Sequence, residues 1–193
     1  MKKSPRGASR RSIFAALACS AILAGILIGA VATPAGALAA QSVVLVKDIL
    51  PGTSSSTPTQ GATVGSTLYF RATDGTAVGV GHGVELWKSD GTTAGTTLVK
   101  DINPGTGSST PVLMNFNGTL FFSATDGANG VELWTSDGTT SGTVMVKDIN
   151  PGSGSSTPAN FTPAGSIMFF TINSGASTQL WKTDGTAANT VLV

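Results

Sequence analysis

Glu132-Leu133-Trp134-Thr135-Ser136-Asp137-Gly138-Thr139 decides how this chain reads. The same pattern stands at Glu85-Leu86-Trp87-Lys88-Ser89-Asp90-Gly91-Thr92 and again at Gln179-Leu180-Trp181-Lys182-Thr183-Asp184-Gly185-Thr186. Trp87, Trp134 and Trp181 are therefore spaced 47 residues apart. A second marker, Lys-Asp-Ile, begins at Lys47, Lys100 and Lys147, and each copy leads into Pro-Gly and then a Ser-Ser-Thr-Pro tract. The first interval of this marker is 53 residues, and most of the excess falls in the loop Thr76 to Gly83, where insertions do least harm. Self-similarity at such a period is the signature of a repeat architecture. The repeat region, 40–193, divides into units of about 42–95, 96–142 and 143–193.

Within the second unit the pattern predicts four short strands: Val112 to Phe116, Thr119 to Thr125, Val131 to Ser136 and Gly142 to Ile149. They are separated by Asn117-Gly118, Asp126-Gly127 and Asp137-Gly138-Thr139, residues that accept the backbone of tight turns. In the second strand Leu120, Phe122 and Ala124 alternate with Phe121, Ser123 and Thr125; the other units repeat this with Leu68, Phe70, Ala72 against Tyr69, Arg71, Thr73, and with Met168, Phe170, Ile172 against Phe169, Thr171, Asn173. Both faces carry an aromatic, so each sheet needs a neighbour on each side. Four strands per unit of this period, stacked face to face, predict an all-β, β-propeller-like array of four-stranded blades. With about three blades the propeller is incomplete, since closure ordinarily takes four or more. The strand Val43 to Ile49 resembles Thr97 to Ile102, Val144 to Ile149 and Thr190 to Val193, yet precedes any whole unit. Two readings follow: further blades in the same polypeptide, of which this is a truncated piece, or closure by self-association.

The motif Glu-Leu-Trp-x-x-Asp-Gly-Thr, with its downstream Gly-Thr and Val-Lys-Asp-Ile-x-Pro-Gly, resembles the ELWxxDGT repeat family of secreted bacterial proteins, some of them described as hyalin-like. The resemblance covers Ser42 to Val193. It implies a propeller-like extracellular repeat protein without an assigned reaction or catalytic residues. The third copy departs from the pattern, with Gln179 for Glu, Asn173-Ser174-Gly175 for Asp-Gly, and Asn189-Thr190 for Gly-Thr.

Ahead of the repeats, residues 1–39 read as an export signal. Lys2, Lys3, Arg6, Arg10 and Arg11 form a basic segment, Ile13 to Val31 is almost wholly apolar, and Pro34, Gly36 and Ala37-Leu38-Ala39 supply a break and small residues for cleavage after Ala39. Ser9-Arg10-Arg11-Ser12-Ile13-Phe14 is similar to a twin-arginine signal, and Sec export fits equally. The competing reading is an uncleaved anchor, because the apolar run approaches the about 20 residues that span a bilayer. Membrane contact would come only through that segment. Cys19, the single cysteine, lies inside it; lipidation there is disfavoured by the preceding Ala16-Leu17-Ala18, and cleavage leaves a chain without thiol chemistry. Either way the repeats lie outside the cell.

Charge then excludes one class of partner. Without residues 1–39 the chain holds six cations against ten carboxylates, a formal −4, so a phosphate-binding surface for nucleic acid is disfavoured. All ten carboxylates fall at repeat positions, whereas a catalytic site needs unlike groups converging at one place. His82, the only histidine, sits in the first unit's long loop and reads as solvated surface. No catalytic residue and no cofactor is assigned. Calcium is the one metal with an argument, since Asp-Gly turns set a carboxylate beside free carbonyls, and Asp90, Asp137 and Asp184 are the candidate ligands. Against it, Asp-Gly is an ordinary hairpin turn and no Asp-x-Asp-x-Asp run occurs. Asn117-Gly118-Thr119 and Asn160-Phe161-Thr162 fit a glycosylation pattern but read as a turn and a strand end. The expected function is an exported, non-catalytic repeat module, a surface or extracellular scaffold with a protein or glycan partner. The alternatives are a calcium-binding adhesin-like module and a fragment of an extracellular propeller enzyme.

Overall fold

The computed structural model describes residues 43–75, 81–173 and 177–193. The signal segment 1–39, its cleavage position and Cys19 lie outside these residues. Among the described residues the chain is all-β, with twelve strands and no helix: β1 Thr59–Val64, β2 Thr67–Thr73, β3 Val84–Ser89, β4 Thr97–Lys100, β5 Val112–Phe116, β6 Thr119–Thr125, β7 Val131–Ser136, β8 Val144–Lys147, β9 Ala159–Ala164, β10 Ile167–Asn173, β11 Thr178–Thr183 and β12 Val191–Leu192. They form three four-stranded antiparallel sheets, each a meander in sequence order. The sheets are offset from the sequence units, because β4 pairs with β3 rather than with the strands that follow it.

Local sequence explains the strand limits. Asn117 and Gly118 both take positive φ, 50° and 81°, the pair a two-residue type I′ hairpin requires, and this ends β5 and starts β6. The fourth strand is shorter than Gly142 to Ile149. Gly142 and Thr143 are held by hydrogen bonds to Thr139, and Ile149 turns its N–H away to Glu132. The strands expected at Thr97 to Ile102 and Thr190 to Val193 shrink likewise to β4 and β12. Val43 to Ile49 forms no strand, and among the described residues no further strand lies beside it to supply a ladder.

Alternation along each strand sends side chains to opposite faces, and the sheets pack through both. Tyr69, Leu86, Val99 and Ile102 of the first sheet and its exit meet Leu120, Phe122, Ala124 and Trp134 of the second. Phe116, Phe121, Leu133 and Val146 on the second sheet's other face meet Met168, Phe170 and Ile172 of the third. Phe122 and Trp134, direct cross-strand partners, stack with ring centroids 6.4 Å apart. On the far side of the first sheet, Ile49 covers Phe70, Ala72 and Trp87. The far side of the third sheet differs: Leu180 is 46% exposed, whereas Leu86 and Leu133 at the same position are fully buried.

Two truncations distinguish an inner from an outer face. Phe122→Ala is expected to cost about 3–5 kcal/mol in a urea titration, as large-to-small changes at tightly packed aromatics do. Leu180→Ala, on the outer face of the third sheet, is expected to cost less than about 1 kcal/mol in the isolated chain.

Candidate functional site

The Asp-Gly-Thr signature folds each third turn on itself. Asp90 Oδ1 accepts from both the N–H and the Oγ1 of Thr92, at 2.9 and 2.7 Å, and Asp137 with Thr139 and Asp184 with Thr186 repeat this. Thr92 and Thr139 in turn accept from Gly95 N–H and Gly142 N–H, both at 2.9 Å. Thr96, Thr143 and Thr190 donate back to the carbonyls of Thr92, Thr139 and Thr186. Inside the turn, the buried hydroxyl pairs Ser89 with Thr96, Ser136 with Thr143, and Thr183 with Thr190 lie 2.7–2.8 Å apart. The Thr hydroxyls hold the carboxyls of Asp90, Asp137 and Asp184 below the usual carboxylate range.

Other signature residues join neighbouring sheets. Lys47, Lys100 and Lys147 donate to the carbonyls of Thr96, Thr143 and Thr190 at 2.7–2.8 Å; Lys100 and Lys147 reach from one sheet's edge to the next sheet's turn, and Lys47 from the segment ahead of the first sheet to that sheet's turn. Lys100 and Lys147 also lie 5.8 Å over Trp134 and Trp181. In the opposite direction Thr93 and Thr140 donate to the carbonyls of Val46 and Val99. Ala187 stands at the equivalent place in the third turn and has no hydroxyl to donate.

The glutamates before Leu-Trp clamp the links between sheets. Glu85, fully buried, accepts from Ile102 N–H and Ser109 N–H at 3.0 Å, with Asn103 N–H at 3.4 Å. Glu132, equally buried, accepts from Ile149 N–H and Ser156 N–H at 3.0 Å and from Ser156 Oγ at 2.6 Å. Gly83 and Gly130 let the link run this close, because a Cβ on either would collide with the carbonyl of Gly107 or Gly154. Burial raises the Glu85 carboxyl to about 7 against the opposing pull of its hydrogen bonds. Gln179 holds the corresponding place on β11 but accepts from Trp181 Nε1 at 3.2 Å instead.

His82 lies at the surface, as its loop position suggested, but its side chain is not free. Its Nδ1 lies 2.8 Å from Asp74 Oδ2, and its backbone N–H donates to Asp74 Oδ1. The hydrogen bond to Asp74 raises the imidazole's pKa. Asn129 and Asp126 make the same closure in the second sheet, so the pair is a loop lock that happens to use histidine.

The structure places Asp90, Asp137 and Asp184 one to a sheet, exposed, and each occupied by its own threonine. It does not bring them together, and no group of three or more His, Cys, Asp or Glu that could hold a metal ion occurs among the described residues. Buried carboxylate oxygens without a hydrogen-bond partner occur elsewhere, at Asp101 Oδ1 and Asp148 Oδ1 of Lys-Asp-Ile. An open cleft of about 360 Å³ lies where the link from the second sheet crosses the third. Asn150, Ser155, Asn173 and Gln179 give it amide and hydroxyl groups, and Ile172 and Trp181 give it an apolar wall.

No protein-family model matches the chain, and comparisons with curated proteins and with solved structures return no match.

The buried Glu85 sets a pH dependence. Between about pH 4.5 and 7 the unfolded chain releases this proton while the folded one keeps it, so stability falls as pH rises and levels off above the folded value. The fall is on the order of 3 kcal/mol. His82 adds a loss of the same sign above its ordinary value, as its proton is held more tightly in the fold. Urea melts of the parent at pH 5 and pH 8 should differ, and Glu85→Gln should remove most of the difference. For calcium, a thermal melt with and without chelator checks the three Asp-Gly-Thr turns: because the carboxylates stand one to a sheet and threonine already takes one oxygen of each, a midpoint unchanged within about 1 °C is expected, and a drop of several degrees would favour the metal.

Proposed function

We propose that this chain is an exported, non-catalytic repeat module: a surface or extracellular scaffold whose sheets stack as blades of a propeller-like array. Its loops and the cleft at the third sheet would engage a protein or glycan partner. The observation that carries this reading is the use made of the signature residues. Asp, Thr, Lys and Glu of the motif are spent on hydrogen bonds that close turns or tie one sheet to the next, in the same way from unit to unit. A catalytic site would need some of them free and convergent.

Three further points support it. Four-stranded meanders packed through alternate faces have the strand count and layering of propeller blades. The segment 1–39 has the layout of a cleaved export signal, with secretion or surface display as its consequence. The cleft combines an indole with neutral amides and hydroxyls, groups that suit the apolar face and hydroxyl rim of a sugar ring.

Incubating the purified chain with an array of extracellular glycans, then sizing what is retained, separates scaffold from enzyme. Retained glycans of unchanged length are expected. Shortened products would favour the hydrolase or lyase alternative. Mass spectrometry of the culture supernatant checks export in parallel, with Ala40 as the expected first residue.

A further inference from the structure

The third sheet presents outward the positions that the other two sheets bury. Leu180 is 46% exposed against 0% for Leu86 and Leu133. Phe169 is half-buried, whereas its counterparts Tyr69 and Phe121 are buried.

A matching deficit lies at the other end of the stack. Residues 43–58 already have the shape of an inter-sheet link. Thr57 takes a φ of 42°, and Thr110 and Thr157 in the two internal links take 47°. Ser56 accepts from Thr73 N–H as Ser109 does from Thr125 and Ser156 from Asn173. Lys47 makes the bond to Thr96 that Lys100 makes to Thr143, and Ile49 seats on Phe70 and Trp87 as Ile102 does on Phe122 and Trp134. Only the preceding half of the junction lacks its counterpart. In the internal links the first and last N–H groups go to Glu85 or Glu132, but the N–H groups of Ile49 and Ser56 find no acceptor among the described residues. Ser56 and Leu68 stay half-buried, where Ser109 is 0%, Ser156 1%, Leu120 1% and Met168 0% exposed.

We infer that the occupant of the third sheet's outer face is a second copy of this chain, which sets its Lys47–Ser56 link beneath Gln179 and the outer face of its first sheet against Phe169 and Leu180. The inference rests on the stacked-sheet reading above. Gln179 Oε1 then leaves Trp181 and accepts the N–H groups of Ile49 and Ser56, as Glu85 and Glu132 do within the chain. Val43–Val46 of the incoming copy would coincide with Thr190–Val193. They give way readily, since Val43, Val44 and Leu45 are 68%, 66% and 42% exposed and belong to no strand. The contact is heterologous, so it repeats until it closes. Two copies of three sheets make six, within the range of about four to eight that propellers close with.

Sedimentation equilibrium of the purified full chain from about 1 to 100 µM tests this. A discrete two-copy species is expected, with Leu180→Glu shifting it to the single chain while leaving the circular dichroism spectrum unchanged. Hydrogen exchange at the amides of Ile49 and Ser56 should slow at least about tenfold across the association range, a readout that needs no variant. A single chain at 100 µM, or a pair in which Leu180→Glu and these amides change nothing, overturns the proposal. A single chain that keeps its β spectrum and its glycan retention leaves the scaffold reading standing, so the two failures are distinguishable.

Discussion

Every sheet in this molecule has apolar side chains on both faces, and a sheet so built has no side to turn to water. Phe121 and Phe122 are adjacent in sequence, point in opposite directions and are both buried, which is feasible only with another layer above and below. The stack follows from that requirement, as do the positions of the signature residues. Hydrophobic burial gives the layers a reason to approach but little to fix their spacing or rotation. The polar residues supply that, through a lysine bond across each junction and, between the first and second sheets, a threonine bond that runs the opposite way.

Glutamate takes the most demanding position in this scheme. A link of irregular backbone must pass from the outer edge of one sheet to the first strand of the next, and its buried N–H groups need acceptors. One carboxylate answers two or three of them at once. The cost is a charge removed from water, visible as the raised pKa of Glu85. Where Gln179 stands instead, the clamp lacks a charge and turns to its own tryptophan.

Local features of the fold were legible in the sequence, and non-local ones were not. β5, β6 and β7 fall on the expected residues because Asn-Gly and Asp-Gly turns bracket them, and turn chemistry is written in adjacent positions. The fourth strands came out short because Thr139 and Glu132 claim backbone groups at either end, and side-chain competition of this sort leaves no trace in an alternation pattern. Val43 to Ile49 resembles the fourth strands in sequence but lacks a neighbour among the described residues, and pairing is a property of two segments. Of the candidate ligands, Asp90, Asp137 and Asp184 were recognisable as turn formers; that their carboxylates are filled by threonine two residues on could have been read from Asp-x-Thr. Glu85 and Glu132 were not recognisable as clamps, since their partners lie 17 to 24 residues downstream. The partner of His82 was hidden for the same reason, with Asp74 eight residues back across a loop. Its counterpart Asn129, paired with Asp126, was the signal that would have revealed it.

The two sheet-to-sheet joints share a lysine bonded to a threonine carbonyl and a glutamate over the link, whereas the bond from a threonine hydroxyl to a valine carbonyl is made at the first joint and lapses at Ala187 of the second. Unequal recombination that adds or removes one whole copy of the coding unit recreates the same kind of joint on both sides of the splice. Ala187, where one of those bonds has lapsed, shows that such a joint keeps its lysine and glutamate bonds without it.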